Sequence, residues 1–359
     1  MRTLSVRLNE ESHDVVVGCG ILSTIGARLK ELGFSSKAMI VTNATVNRLY
    51  GTFVEESLLS EGFEVIILEV PDTEKSKSME MASKLYDELM NHKVERTTPI
   101  LALGGGVVGD LAGFVAATFL RGLPLIHIPT TLLAQVDSSI GGKTAVNLSE
   151  AKNMVGMFKH PELVLTDLDA LVTLPEKEIK NGVAEIIKYA VIADASLFTI
   201  LENNINNILN PDIAFLEEIV SQCCKIKIDV IERDERETGI RKILNYGHTV
   251  GHGLEAVTDF TISHGEAVAV GMCAAARIAN KIGIFDDGSV KKQENLIRKA
   301  GLPTTLPDVN IEYLLRTMEL DKKVKNSRIQ FVLPEKIGSV VIRADIPQKD
   351  IIETLEELQ

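Results

Sequence analysis

The sequence predicts an α/β domain followed by a mainly helical domain. Short β-branched runs alternate with helical patterns through the first half of the chain. A glycine-rich turn closes one of those runs, and after Pro175 long helical patterns follow one another with few strand signals. Alternation of the first kind is how a parallel sheet covered by helices on both faces is written in sequence.

In chain order, the candidate strands are Ala38–Thr42, Glu64–Leu68, Ile100–Leu103 and Leu125–Ile128, with helical periodicity near 44–62, 76–92 and 107–119. Helical patterns then occupy 175–193, 212–233, 240–257, 264–282 and 288–300, and strand signals return at Arg328–Leu333 and Ser339–Arg343. The change in texture places a boundary at Leu174–Pro175, giving domains 1–174 and 175–359. The acidic tail Glu353–Gln359 ends a short amphipathic helix with a solvated face.

Bulk composition excludes several classes. A chain of 359 residues is long enough for two domains. It has no tryptophan and only 4% aromatic residues, so its core must rest on Leu, Ile, Val and Ala. The 38 basic and 50 acidic residues give a formal charge of −12, which argues against nucleic-acid or anionic-membrane partners. The amino terminus, MRTLSVRLNEESHD, has no apolar signal core and no window is apolar enough to span a bilayer, so a cytoplasmic location is expected. Cys19, Cys223, Cys224 and Cys273 show neither zinc nor thioredoxin spacing and read as reduced core thiols.

Ile100–Leu103 runs into Gly104-Gly105-Gly106-Val107-Val108-Gly109-Asp110. Gly104, Gly106 and Gly109 match G-x-G-x-x-G at a strand-to-helix junction, where free N–H groups and the helix dipole favour a pyrophosphate. About 20 residues on, where a standard Rossmann fold has an acid for the ribose, this chain has Pro129-Thr130-Thr131. A nucleotide site without that fold is expected; the alternative is a tight turn that needs glycine for geometry alone. Arg121, Lys143 and Lys152 lie among small uncharged residues, with Gly141-Gly142 aiming Lys143. Together they suit a phosphate or carboxylate, though each alone reads as a solvated charge. Asp137 is either an N-cap before Ser138-Ser139 or a pocket carboxylate.

The stretch NYGHTVGHGLEAVTDFTISHGE, residues 245–266, holds three of the seven histidines within 17 residues. His248 and His252 are spaced i, i+4 and share a helix face. Thr249 stands where a zinc peptidase has glutamate, so the stretch suggests a metal without that activity. Glu185, on the apolar helical pattern GVAEIIKYA, is the candidate third ligand, with Lys188 three residues on. One carboxylate and two imidazoles leave an open position on zinc, as catalysis requires. Spacing leaves open which two histidines bind.

The blocks ALGGGVVGDLAGFVAATFLRG, IPTTLLAQVDSSIGGKTAVN, GVAEIIKYA, LNYGHTVGHGLE and SHGEAVAVGM closely resemble the 3-dehydroquinate synthases, sugar phosphate cyclases of the shikimate pathway. The match runs from Val41-Thr42-Asn43 to Asp321-Lys322-Lys323. It implies a nucleotide-binding α/β domain, a helical domain and an active site between them, an architecture related to iron-type alcohol and glycerol dehydrogenases. It implies Glu185, His248 and His264 as ligands of one divalent metal, zinc or alternatively cobalt, and His252 as an acid/base or phosphate-contacting residue. The implied NAD contacts are Asn43, Glu74, Lys77, Gly104, Gly105, Gly106, Val107, Val108, Gly109, Asp110, Thr130, Thr131 and Thr173, with Lys143 and Lys152 shared between cofactor and substrate. The implied substrate pocket takes Arg121, Asp137, Asn153, Lys188, Lys227, Arg241, Asn245 and one of Lys322 and Lys323. Two positions depart from the family's pattern: Thr73 precedes Glu74 where glycine is frequent, and Asn43 stands where many members carry aspartate.

The resemblance further implies conversion of 3-deoxy-D-arabino-heptulosonate 7-phosphate to 3-dehydroquinate and phosphate. The steps are transient oxidation by NAD, phosphate elimination, re-reduction, ring opening and intramolecular aldol closure. It also implies a homodimer. An acidic sugar phosphate accounts for a cation cluster on a chain of net −12. The rival readings are another sugar phosphate cyclase, a metal-dependent polyol dehydrogenase, and a non-enzymatic metal-binding regulator.

Overall fold

A computed structural model describes residues 1–8, 11–148, 151–209, 212–321 and 329–359. The chain divides into two units, Met1–Leu174 with Ile213–Glu232, and Pro175–Asp212 with Arg233–Gln359. This differs from a single cut at Leu174–Pro175 by one long helix, whose segment Ile213–Glu232 packs with the first unit.

The strands of the first unit are β1 (Arg2–Val6), β2 (His13–Gly18), β3 (Lys37–Thr42), β4 (Glu64–Glu69), β5 (Ile100–Gly104), β6 (Leu125–Pro129), β7 (Lys143–Leu148), β8 (Ala151–Phe158) and β9 (Leu163–Asp167). β7 and β8 form a separate antiparallel ribbon, and the others form one sheet in the order β1-β2-β9-β6-β5-β3-β4. Only the β1–β2 pairing in that sheet is antiparallel. Alternation sorts the side chains: Ala38, Ile40, Leu101 and Leu103 join the core on one face, Met39, Val41, Ile100 and Ala102 that on the other. The first face is covered by helices Ile25–Glu31 and Thr52–Ser60, the second by Met79–Asn91 and Gly106–Thr118.

Leaving aside β2, which pairs parallel with β9 at the far side, the strands β4-β3-β5-β6-β9, counted in chain order, run 2-1-3-4-5. The order reverses between β3 and β5, and the crevice beyond the carboxyl ends of the strands at such a switch point is where open α/β sheets take their ligands. Asn43 follows β3 there, and Gly105–Gly106 follow β5.

In the second unit the helices Glu176–Ala193, Ala195–Asn204, His248–Val257, His264–Lys281, Asp287–Lys299, Ile311–Asp321 and Gln348–Leu358 accompany a hairpin of β10 (Phe331–Lys336) and β11 (Ser339–Arg343). The helix expected over 240–257 is broken. A short 3-10 turn, Ile240–Asn245, ends before Gly247, whose φ of 78° lies in the left-handed region, and a new helix starts at His248. A Cβ at Gly247 would also lie 2.8 Å from the Val268 carbonyl oxygen. Among the described residues no helix is long and apolar enough to cross a membrane. All four cysteines are free, but only Cys223, Cys224 and Cys273 are core thiols: Cys19, in the turn after β2, is exposed.

Candidate functional site

In the first unit the glycine turn is demanded by close approach. A Cβ on Gly104 would lie 2.8 Å from the Val108 side chain, one on Gly105 2.9 Å from Thr131 Cγ2, and one on Gly106 3.2 Å from Ser138 Oγ. None of the three has a positive φ. The amino-terminal turn of the Gly106–Thr118 helix therefore opens into a hollow lined by Gly104, Gly105, Asp110, His127 and Ser138. Ser138 Oγ is buried there without a hydrogen-bond partner. Bare backbone N–H groups, a helix dipole and an unspent hydroxyl suit a phosphorylated ligand such as a dinucleotide.

Residues around the hollow interlock. The buried Lys77 ammonium contacts both the Asp110 carboxylate and Asn153 Oδ1. Burial holds the Asp110 carboxyl above the usual carboxylate range, with Lys77 pulling against it. Asn43 caps the turn after β3, its Oδ1 accepting from the Val46 N–H at 2.9 Å. The Thr130 N–H donates to the Gly104 carbonyl at 3.0 Å, and Thr131 Oγ1 accepts from the Ala134 N–H at 3.2 Å. Thr173, exposed, meets the Tyr50 hydroxyl. Asp137 is no N-cap: Lys227, from the Ile213–Arg233 helix, donates to its Oδ1 at 2.6 Å and to its carbonyl at 2.8 Å. Arg121 and Lys143 are exposed and Lys152 is half-buried. Arg121 sits at a φ of 69° beside Leu120 at 49°, a turn in the left-handed region.

In the second unit Asn181 docks two helices. Its Oδ1 accepts from the Gly265 N–H at 3.0 Å, and a Cβ at Gly265 would lie 2.5 Å from the Asn181 Cα. One turn further along the Glu176–Ala193 helix, the wholly buried Glu185 therefore faces His264. Its Oε1 lies 3.4 Å from His264 Nε2 and 3.5 Å from His248 Nε2, and Lys188 contacts its Oε2. The helices His248–Val257 and His264–Lys281 meet backbone to backbone, with a Cβ at Gly271 falling 1.9 Å from the Gly247 oxygen.

One donor atom each from Glu185, His248 and His264 lie within 4.8 Å of one another. Donors about 2.1 Å from a shared tetrahedral ion stand about 3.4 Å apart, so this N, N, O set fits a divalent metal such as zinc. His248 Nδ1 lies 3.0 Å from the Tyr246 carbonyl, and His264 Nδ1 lies 3.6 Å from Glu255 Oε2, which turns both Nε2 atoms toward Glu185. Burial pulls the His248 imidazole down to about 3. Burial also pulls on His264, but Glu185 and Glu255 outweigh it and push that ring up to about 10. His252 stays outside the three-donor group, its ring 5.2 Å edge-on from that of His248 and 6.5 Å from that of His264.

In the same unit Arg241 is wholly buried, its guanidinium donating to the Glu235 carbonyl. Asn245 Nδ2 donates to Glu237 Oε1 at 2.6 Å. The turn is organised by Asp234, whose carboxylate accepts from the N–H groups of Thr238, Gly239 and Arg241 at 2.9, 2.7 and 3.0 Å. Burial opposes that charge, but these bonds win and hold the carboxyl at about 2. Lys322 and Lys323 lie outside the described residues. Sequence reasoning did not single out Asn181, Asp234, Glu237 or Glu255. A positive φ at Glu237 marks an unusual position only once the backbone is known, and Glu255 closes the block LNYGHTVGHGLE in plain sight.

Two family models match, 3-dehydroquinate synthase N-terminal over residues 67–181 and 3-dehydroquinate synthase C-terminal over residues 182–324. A 3-dehydroquinate synthase of Desulforamulus reducens is 49% identical over 99% of this chain and 100% of its own length. Among solved structures, a 2-epi-5-epi-valiolone synthase from Streptomyces hygroscopicus subsp. jinggangensis, with NAD+ and Zn2+ bound, superposes with a TM-score of 0.91 at 28% identity, covering 98% of both chains. A 2-deoxy-scyllo-inosose synthase complexed with carbaglucose-6-phosphate, NAD+ and Co2+ gives 0.91 at 26% identity, covering 100% of both. An NADH-dependent butanol dehydrogenase from Thermotoga maritima shares the fold alone, with a TM-score of 0.69 at 18% identity and 100% of both chains covered.

Proposed function

Because this chain belongs to the 3-dehydroquinate synthase family and is an enzyme of that class, we propose that it converts 3-deoxy-D-arabino-heptulosonate 7-phosphate to 3-dehydroquinate and phosphate, using NAD and one divalent metal. The observation that carries the reading is the buried Glu185 carboxylate facing His248 and His264 at tetrahedral spacing. Glu185, His248 and His264 hold the metal, zinc or cobalt. The hollow of Gly104–Asp110, with Thr130, Thr131 and the neighbouring Asn43, Glu74, Lys77 and Thr173, takes NAD. When bound, the metal supplies Lewis acidity toward a secondary hydroxyl and NAD supplies a reversible hydride acceptor, so net redox is zero.

The protein's own groups bind and orient. Lys143, Lys152, Lys227, Arg241 and Arg121 are cations for a dianionic phosphate and a carboxylate, with Asn153 and Asn245 adding neutral donors. Lys188 balances Glu185, and Asp137 orients Lys227 through the paired hydrogen bonds. His252, outside the donor group, moves a proton. Phosphate can take the proton of its own elimination, so positioning and charge stabilisation do most of the work. We further place the enzyme in the cytoplasm as a homodimer, a state that sedimentation of the purified protein tests.

The decisive assay supplies the heptulosonate phosphate, NAD and a divalent metal and follows phosphate release. No release, together with turnover of sedoheptulose 7-phosphate or glucose 6-phosphate, would move the chain to another cyclase activity. Accumulating NADH with glycerol would mark a polyol dehydrogenase.

A further inference from the structure

The β7–β8 ribbon breaks its register at one point. Val146 stands opposite Val155 and Leu148 opposite Ala151, so the single residue Asn147 faces Lys152, Asn153 and Met154. The β8 strand must bulge there, and Asn153 takes a φ of 58°. A bulge strips a strand of its ladder partners and re-aims its side chains. Here it presents Lys152 and Asn153, two of the residues read above as facing cofactor and substrate.

Asn147 supplies what the ladder does not. Its Oδ1 accepts from the Asn153 N–H at 2.8 Å, its Nδ2 donates to Glu74 Oε1 at 2.8 Å, and its backbone N–H donates to the Lys77 carbonyl at 2.8 Å. Lys77 closes the ring by donating to Asn153 Oδ1 while it holds Asp110. The roles cannot be exchanged: an N–H faces the amide oxygen and a carboxylate faces the amide nitrogen, so only a carboxamide serves both.

We propose that Asn147 is a positioning residue that locks the bulge to the Glu74–Lys77 loop and so holds Lys77, Lys152 and Asn153 in their working places. The inference rests on the nucleotide-binding reading of this unit. Asn147→Asp, nearly isosteric, sets a carboxylate against Glu74. The metal-loaded variants are titrated with NADH by its fluorescence, and phosphate release gives KM and kcat. N147D should weaken NADH binding and raise KM for the sugar phosphate by about tenfold or more, with a smaller change in kcat. Glu74→Gln should rescue it, because the side-chain amide it introduces can donate to the new carboxylate: the double variant should bind NADH within about twofold of E74Q alone. If N147D does not fold, N147A, which keeps the backbone bond to Lys77, should show the same loss without charge repulsion. The proposal is overturned if the folded Asn147 variants bind NADH within about twofold of wild type, or if the N147D and E74Q losses simply multiply. Wild type failing to bind NADH would overturn the nucleotide reading instead.

Discussion

His248 Nδ1 lies 3.0 Å from the carbonyl oxygen of Tyr246, two residues before it. A carbonyl only accepts, so Nδ1 carries the proton and Nε2 is the lone-pair nitrogen on the side of Glu185. Tyr246 is itself fixed, wholly buried with its hydroxyl donating to Gln293 Oε1 at 2.8 Å. The imidazole is thus preset for the ligand role proposed for it, and His252, outside the three-donor group, is assigned a different role in the same proposal.

That difference is measurable. His248→Ala should lose metal affinity by at least about a hundredfold, whereas His252→Ala should keep stoichiometric metal and lose about a hundredfold or more in kcat. Metal content by mass spectrometry decides; equal loss from both variants would defeat the assignment.

Metal removal should abolish turnover without unfolding the protein. Lys188 contacts the other oxygen of the Glu185 carboxylate, so the buried charge keeps a partner when the metal is stripped. Chelation followed by far-UV circular dichroism should show an intact helical signal, and added zinc or cobalt should restore phosphate release.

Gly271→Ala should be among the costliest small substitutions in the chain. The added methyl would lie 1.9 Å from the Gly247 oxygen, a backbone atom that no rotamer change can move. A loss of about 3 kcal/mol or more in urea unfolding is expected, with weaker metal binding, because the helix bearing His264 must back away from the one bearing His248.

Mild acid should weaken the protein through two buried histidines. Burial holds the imidazoles of His13 and His127 at about 4, against 6.5 for an exposed ring. The unfolded chain therefore binds more protons between those values, and stability falls as pH drops from 6.5 toward 4, by about 3 kcal/mol per ring at the lower end. Unfolding free energies measured across that window should show a shallower slope in a His13→Leu/His127→Leu variant.

Much of this architecture is legible in the sequence wherever a strand is buried on both faces. Ala38–Thr42 and Ile100–Leu103 read as apolar runs because helices cover both sides of the sheet. Ala151–Phe158 does not read as a strand, since Asn153, Met154, Gly156 and Met157 are exposed and its register is broken. The i, i+4 histidines were visible because spacing alone puts them on one face. Glu185 was legible as a candidate ligand, but its docking through Asn181 and the support from Glu255 were not, since they depend on how three helices pack, which no local pattern encodes. Asn147 is likewise silent in sequence: its meaning lies in a bulge and in a loop some 70 residues upstream.

The contact of Gly247 with Gly271 also bears on how the proposed metal centre responds to heat and to drift in the core. Side chains between helices behave as a soft gasket that swells, shrinks and accepts substitutions of similar volume. Where main chain rests on main chain there is no gasket, only a hard stop. The gap between His248 and His264 is gauged against that stop, so temperature and conservative changes elsewhere in the core should alter stability well before they alter the width of the metal's seat.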